Sequence, residues 1–136
     1  MSNDGERGRI RSYRELRVWK NAMDGAMEFY RISKSFPSEE RFSLTDQIRR
    51  SSRSVAANIA EAWRKRRYKA AFISKLNDAE SEACETQTWL EFVRRRQFAD
   101  DEAISKLDDR YEQVLAQLVT MIHQADRWTI SAQGDR

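Results

Sequence analysis

Residues 72–93 read FISKLNDAESEACETQTWLEFV. Side chains suited to a packed interior recur here at alternate spacings of four and three residues, which places them along one face of an α-helix. A second run with the same alternating spacing follows between residues 104 and 125. Such spacing is typical of the seam between long helices that pack side by side. The two predicted seams are Phe72, Leu76, Ala79, Ala83, Thr86, Leu90 and Val93, and Ile104, Leu107, Tyr111, Val114, Leu118, Met121 and Ala125.

A helix is also predicted near the start of the chain. Ser12 and Glu15 form a capping-box pattern, which satisfies free N–H groups at a helix start. The helix should end near Ser35, because Pro37 cannot continue it. Its predicted apolar stripe consists of Leu16, Trp19, Met23, Ala26 and Tyr30.

A second helix should begin at Ser43, with Asp46 as a weaker capping partner. An unbroken helix from Ser43 to Arg96 would be roughly 80 Å long, and the first helix would cover less than half of it. A break is therefore predicted at about residues 64–68. The apolar stripe of this helix is predicted to be Leu44, Ile48, Val55, Ile59 and Ala62 with Trp63.

Length and composition support an all-α fold. The chain has 136 residues, which corresponds to one domain, and 40% of them are hydrophobic, which argues against a disordered chain. Only 4 Gly and 1 Pro are present, too few for the many turns of an all-β fold. We predict a single-domain, antiparallel up-down-up-down four-helix bundle over residues 12–128. A disordered arm is expected at residues 1–11 and a frayed tail at residues 129–136.

Residues that carry chemistry are scarce. The single cysteine, Cys84, excludes an internal disulfide, and the single histidine, His123, is not part of a Glu-x-x-His motif such as di-metal bundles use. No apolar run of about 18 residues and no secretory signal occurs. We therefore expect a non-enzymatic protein without cofactor, metal or membrane contact, located in the cytoplasm.

The second helix and its end are rich in basic residues. Arginine suits phosphates because its guanidinium donates hydrogen bonds in a bidentate fork, and such a face could follow a nucleic-acid backbone with little regard to sequence. The alternative is a solvated face whose arginines pair with acidic neighbours. The candidate nucleic-acid-binding residues are Arg49, Arg50, Arg53, Arg64, Lys65, Arg66 and Arg67.

Other features favour self-association. Residues 38–67 carry eight basic and four acidic side chains, whereas residues 98–128 carry three basic and seven acidic ones, so the two helices differ in sign. A polar stripe beside the apolar stripe of the second helix could set helix register, and tryptophans at flanking positions are favoured anchors of subunit interfaces. The candidate structural or interface residues are Gln47, Asn58, Glu61, Trp63 and Trp89.

Two segments carry a family resemblance: YRELRVWKNAM (residues 13–23) and SFPSEERFSLTDQIRRSSRSVAANIAEAW (residues 35–63). They resemble the four-helix bundle proteins encoded in intervening sequences of bacterial 23S ribosomal RNA genes. The matching positions are Leu16, Val18, Trp19, Phe36, Pro37, Glu40, Leu44, Thr45, Gln47, Ile48, Arg49, Asn58, Ile59, Ala60 and Glu61.

The resemblance implies a homopentameric ring with a central channel and no enzymatic activity or cofactor. It also implies a relation to the accessory proteins of diversity-generating retroelements, which bind nucleic acid together with a reverse transcriptase. The chain departs from the family where a glycine usually follows the Asn-Ile-Ala-Glu motif, since Ala62 and the basic run at residues 64–67 stand there.

These observations together favour an oligomeric bundle that binds RNA or DNA through the basic face of its second helix. The alternative is a scaffold for protein–protein interaction with no role in nucleic-acid binding.

Overall fold

The computed structural model describes residues 10–130, and all regular secondary structure within them is helical. Short 3₁₀ turns at Tyr13–Glu15 and Ser38–Glu40 precede the first and second long helices. The α-helices are α1 (Arg17–Ser33), α2 (Leu44–Arg64), α3 (Lys69–Arg96), α4 (Asp101–His123) and the short α5 (Ala125–Trp128).

The four long helices form one bundle. Each packs against its neighbours in sequence, and α1 also packs against α4, so that the helices close around a single core. The predicted four-helix bundle is thereby confirmed. The predicted arm and tail fall largely outside the described residues, at 1–9 and 131–136.

The seams predicted for α3 and α4 are confirmed, because every one of their side chains is buried. The stripe predicted for α1 is only partly right. Trp19 and Met23 are half-buried and Tyr30 is exposed. The face of α1 that enters the core instead carries Val18, Ala22, Gly25, Ala26, Phe29 and Ile32.

Gly25 explains why this face of α1, and not the predicted stripe, enters the core. A Cβ atom built on Gly25 would lie 2.7 Å from both Cε1 and Oη of Tyr111 on α4, closer than real Cβ contacts occur. Tyr111 is itself fully buried and packs against Phe29, with ring centroids 5.5 Å apart. The absence of a side chain at Gly25 therefore makes room for the Tyr111 ring.

A buried polar contact joins α2 to α3. The hydroxyl groups of Ser51 and Thr86 are hydrogen bonded at 2.8 Å, and neither residue is exposed to solvent. Thr86 also donates to the carbonyl of Glu82 at 2.8 Å. The polar atoms that small side chains bring into this interface are thus satisfied, as buried polar groups must be.

The start of α2 is stabilised by a residue outside the helix. Ser43 forms no capping hydrogen bond to α2, so the predicted pairing with Asp46 is wrong. Instead the Glu40 carboxylate accepts hydrogen bonds from the Ser43 hydroxyl at 2.6 Å and from the Leu44 N–H at 3.3 Å. These bonds, with Arg96 3.8 Å away, hold the pKa of Glu40 below its ordinary value of 4.5.

Glu40→Gln is therefore expected to lower the midpoint of thermal unfolding at pH 7. Because the folded state depresses the pKa, the stabilisation by the carboxylate is present above pH 4.5 and is lost as the pH falls through the depressed value. Thermal unfolding followed by circular dichroism at pH 7 and about pH 3 checks this. The exposed neighbour Glu39 provides a control, Glu39→Gln, that should change neither midpoint. An equal loss at both pH values would contradict the linkage.

Candidate nucleic-acid interface

The junction between α2 and α3 is a tight basic turn. The Lys65 N–H donates to the carbonyl of Ala62 at 2.9 Å, and the Tyr68 N–H donates to the carbonyl of Lys65 at 3.0 Å. The predicted break is thus confirmed, since α2 ends at Arg64 and α3 begins at Lys69. No acidic residue occurs in the first turn of α3, so the positive end of its helix dipole adds to the charge of the turn.

The fold brings two other segments of the chain to the same end of the bundle. Tyr13, which precedes α1, lines a groove with Arg64 and Lys65. The chain beyond α5 returns to the turn, where the Ile130 N–H donates to the carbonyl of Arg66 at 2.8 Å. An ion pair of 2.7 Å between Lys69 Nζ and Asp126 Oδ1 links the start of α3 to α5.

We call this end of the bundle the basic pole and define it as residues 10–20, 61–70 and 121–130. It contains ten Lys and Arg residues against three Asp and Glu residues. The other described residues carry twelve Lys and Arg against sixteen Asp and Glu, so the positive charge of the molecule is concentrated at one end. The basic residues of the pole are Arg11, Arg14, Arg17, Lys20, Arg64, Lys65, Arg66, Arg67, Lys69 and Arg127, all exposed except the half-buried Arg66.

The predicted binding residues in the turn differ in their availability. Arg64, Lys65 and Arg67 are exposed and form no ion pair with the described residues. Arg66 is engaged within the chain. Its guanidinium lies 3.5 Å from the centroid of the Trp63 ring and donates through Nε to the Trp63 carbonyl at 2.9 Å, and burial lowers its pKa.

The other three predicted binding residues lie further along α2. Arg49 donates to the Ser33 hydroxyl at 2.7 Å and lies over the Tyr30 ring at 4.7 Å, so it holds α2 to α1. Arg50 donates to the side-chain carbonyl of Gln47 at 3.0 Å. It also lies 4.0 Å from Glu85 on α3, while Arg53 donates to the Arg49 carbonyl at 3.1 Å. Fourteen residues, or roughly 21 Å of helix, separate Arg50 from Arg64.

The polar residues predicted to have structural roles make contacts within the chain. Gln47 accepts from Arg50, as described above. The Asn58 amide donates to the Ser54 carbonyl in its own helix at 2.9 Å. Glu61 pairs with Lys75 of α3 at 2.8 Å, which raises the pKa of Lys75.

The two predicted interface tryptophans have different surroundings. Trp63 is buried beneath Arg66. Trp89 is half-buried and donates to Glu85 at 3.2 Å. Its ring lies 5.8 Å from that of Phe92, which is half exposed, so Trp89 is the more accessible of the two.

Residues 10–130 show few features of other site types. No group of three or more His, Cys, Asp and Glu side chains among them could hold a metal ion. Within the same range, none of the helices has the length and apolar character that crossing a bilayer requires.

The profile described as "23S rRNA-intervening sequence protein" matches residues 14–120, most of the chain. The chain belongs to this family. The matched range includes the basic turn and the α1 part of the basic pole. The resemblance inferred from the residues is thereby confirmed, whereas the relation to retroelement accessory proteins stays a prediction.

A solved structure agrees with the assignment to the intervening-sequence family. It is a protein of unknown function from the S23 ribosomal protein family of Bacteroides thetaiotaomicron, 31% identical to this chain. The match covers 77% of this chain and 97% of the other, with a TM-score of 0.70. None of the curated proteins matches the chain.

Sequence reasoning missed part of the basic pole of this family member. Arg11, Arg14, Arg17 and Lys20 lie about fifty residues before the basic run, so the charge count along α2 did not include them. A signal was present, because up-down topology places the start of α1, the end of α2 and the start of α3 at the same end of a bundle. Counting charge for each end of the predicted bundle, instead of each helix, would have found them.

Proposed function

We propose that this protein binds nucleic acid, without enzymatic activity, through phosphate contacts at the basic pole. The observation that carries the proposal is the gathering of nine exposed basic side chains from three separate segments at one end of the bundle. The family description and the S23 assignment of the relative both refer to ribosomal components. They favour RNA as the first probe.

The exposed cations suit a polyanion better than a small ligand. They are spread around the end of the bundle and do not converge on one enclosed cavity, so successive phosphates of a backbone could each meet a different side chain. Binding of this kind releases counterions and depends steeply on salt concentration. Arg66 and Arg49 contribute structure instead, because their guanidinium groups are held by Trp63 and by Tyr30 with Ser33.

Fluorescence anisotropy of a labelled RNA tests the proposed function. For four phosphate contacts, affinity is expected to fall roughly 100-fold between 50 and 200 mM salt. A salt-independent affinity, or no binding at about 50 mM salt, would contradict the proposal.

We further propose that the chain assembles into a homo-oligomer, with the pentamer that the family resemblance implies as the expected state. Two observations support this. The α4 region is acidic where α2 is basic, and α1 leaves Met27 and Tyr30 exposed beside the half-buried Trp19 and Met23. Light scattering at micromolar concentration should give about 80 kDa for five chains of 16.1 kDa. A monomer mass would contradict the assembly.

A protein-interaction scaffold is the second candidate function. An apolar groove between α1 and α2, lined by Trp19, Met23, Ala57 and Ala60 among others, favours it. If this is the principal function, Met23→Glu should disrupt partner binding or assembly. RNA binding would then be absent in the wild type.

A further inference from the structure

We propose that the basic pole is selective for single-stranded nucleic acid, because Tyr68 offers a surface on which an unpaired base stacks. This inference rests on the proposed function and names the class of nucleic acid that the pole recognises. The observation behind it is that one exposed aromatic ring lies among cations of the turn that form no ion pair with the described residues.

Tyr68 is 65% exposed at the junction of α2 and α3. The core beneath the junction is closed by other aromatic side chains, the buried Trp63 and Phe72. Within residues 10–130 no ring and no cation covers Tyr68. The Tyr68 ring is therefore available to an external partner and is not needed for packing.

The other aromatic rings near the turn are already in use. The guanidinium of Arg66 covers Trp63, and that of Arg14 lies 4.7 Å from the centroid of the Tyr13 ring. Tyr13 also packs edge-on against Trp19 at 5.4 Å. Tyr68 is thus the aromatic side chain of the turn that can accept a base without displacing a contact within the chain.

The cations around Tyr68 complete the site. Arg64, Lys65 and Arg67 lie within four residues of it and are exposed. Proteins that bind single strands combine basic side chains, which follow the backbone, with aromatic rings, on which bases stack regardless of sequence. In a duplex the base faces are already stacked on one another, so Tyr68 should add affinity only where bases are unpaired.

Anisotropy titrations of four proteins test the inference: the wild type, Tyr68→Ala, Tyr68→Phe and Phe42→Ala. The probes are a fluorescein-labelled single-stranded RNA of about 12 nucleotides and the duplex that it forms with its complement. Phe42 is the matched control, because it is 86% exposed and lies beside Arg41 in the α1–α2 link, at the other end of the bundle. Circular dichroism verifies that each variant keeps its helices.

We expect Tyr68→Ala to weaken single-strand binding about tenfold or more and duplex binding less than about twofold. Tyr68→Phe keeps the ring and should bind within about twofold of the wild type, as should Phe42→Ala. The inference is overturned, while the proposed function stands, if the wild type prefers duplex or if Tyr68→Ala affects both probes equally or neither. A loss in Tyr68→Phe would also overturn it, since the hydroxyl would then be responsible. Failure of the wild type to bind either probe would overturn the proposed function as well.

Discussion

Gly25→Val is expected to lower the free energy of unfolding by about 3 kcal/mol, near the upper end of the usual cost of overpacking a core. The new side chain would begin 2.7 Å from the Tyr111 ring. Tyr111 cannot move aside easily, because it is fully buried and packs against Phe29. Either Tyr111 must leave its rotamer or α1 must separate from α4. Since domains of this size are stable by about 5–15 kcal/mol, the change should be obvious in urea unfolding.

A double-mutant cycle with Tyr111→Leu tests the stated cause. Tyr111→Leu removes the ring that the introduced valine side chain would strike, so Gly25→Val should cost much less in that background, with a coupling energy of at least about 1 kcal/mol. Met27→Val, at an exposed position of the same helix, is the control and should change stability by no more than about 0.5 kcal/mol. Full additivity in the cycle would show that Gly25 and Tyr111 do not limit the approach of α1 to α4.

Replacing Arg64, Lys65 and Arg67 together by glutamine is expected to weaken RNA binding roughly 30-fold at moderate salt, if each exposed cation contributes about 0.7 kcal/mol. On a single-stranded probe, the slope of log affinity against log salt should become shallower by about 2, because each of the three lost phosphate contacts removes about 0.7 from it. Helicity should be unchanged, since all three side chains are exposed and unpaired among the described residues.

A second variant, which loses three cations elsewhere on the surface, distinguishes the effect of where the cations lie from the effect of total charge. Arg50, Arg53 and Arg95 are also exposed, but they lie away from the basic pole, and Arg95 is paired with Glu91 at 2.9 Å. Their replacement by glutamine should weaken RNA binding less than about 3-fold. Equal losses in the two variants would mean that overall charge, and not the basic pole, determines binding. A larger loss in this second variant would support the central part of α2 as the site.

The sequence predicted α3 and α4 well because their seams alternate without interruption. At the start of α4, the Asp100 side chain accepts from the Ala103 N–H at 2.7 Å, as is typical of aspartate at a helix N-cap. The orientation of α1 was harder to predict. Its apolar residues cover more than one face, and which face is buried depends on the fit between Gly25 and Tyr111, residues far apart in the chain.

The candidate site was predictable in part. The run at residues 64–67 was visible in the sequence, but the partners of each cation were not. The guanidinium of Arg66 is held against Trp63, and that of Arg49 is held by Ser33 and Tyr30, so both are less accessible to a ligand. Pattern reasoning cannot anticipate such pairings, because they depend on side-chain geometry at helix ends and between helices. The same applies to Glu40, which caps α2 from the preceding turn.

The uneven distribution of charge along the bundle also makes the molecule an electric dipole. An approaching polyanion would exert a torque that turns the positive end towards it before contact, so that many encounters begin in a productive orientation. Association should consequently be fast at low ionic strength and slow down as salt is added, with a smaller effect on dissociation. Carboxylates far from the ligand would then influence how quickly it is captured, although they never touch it.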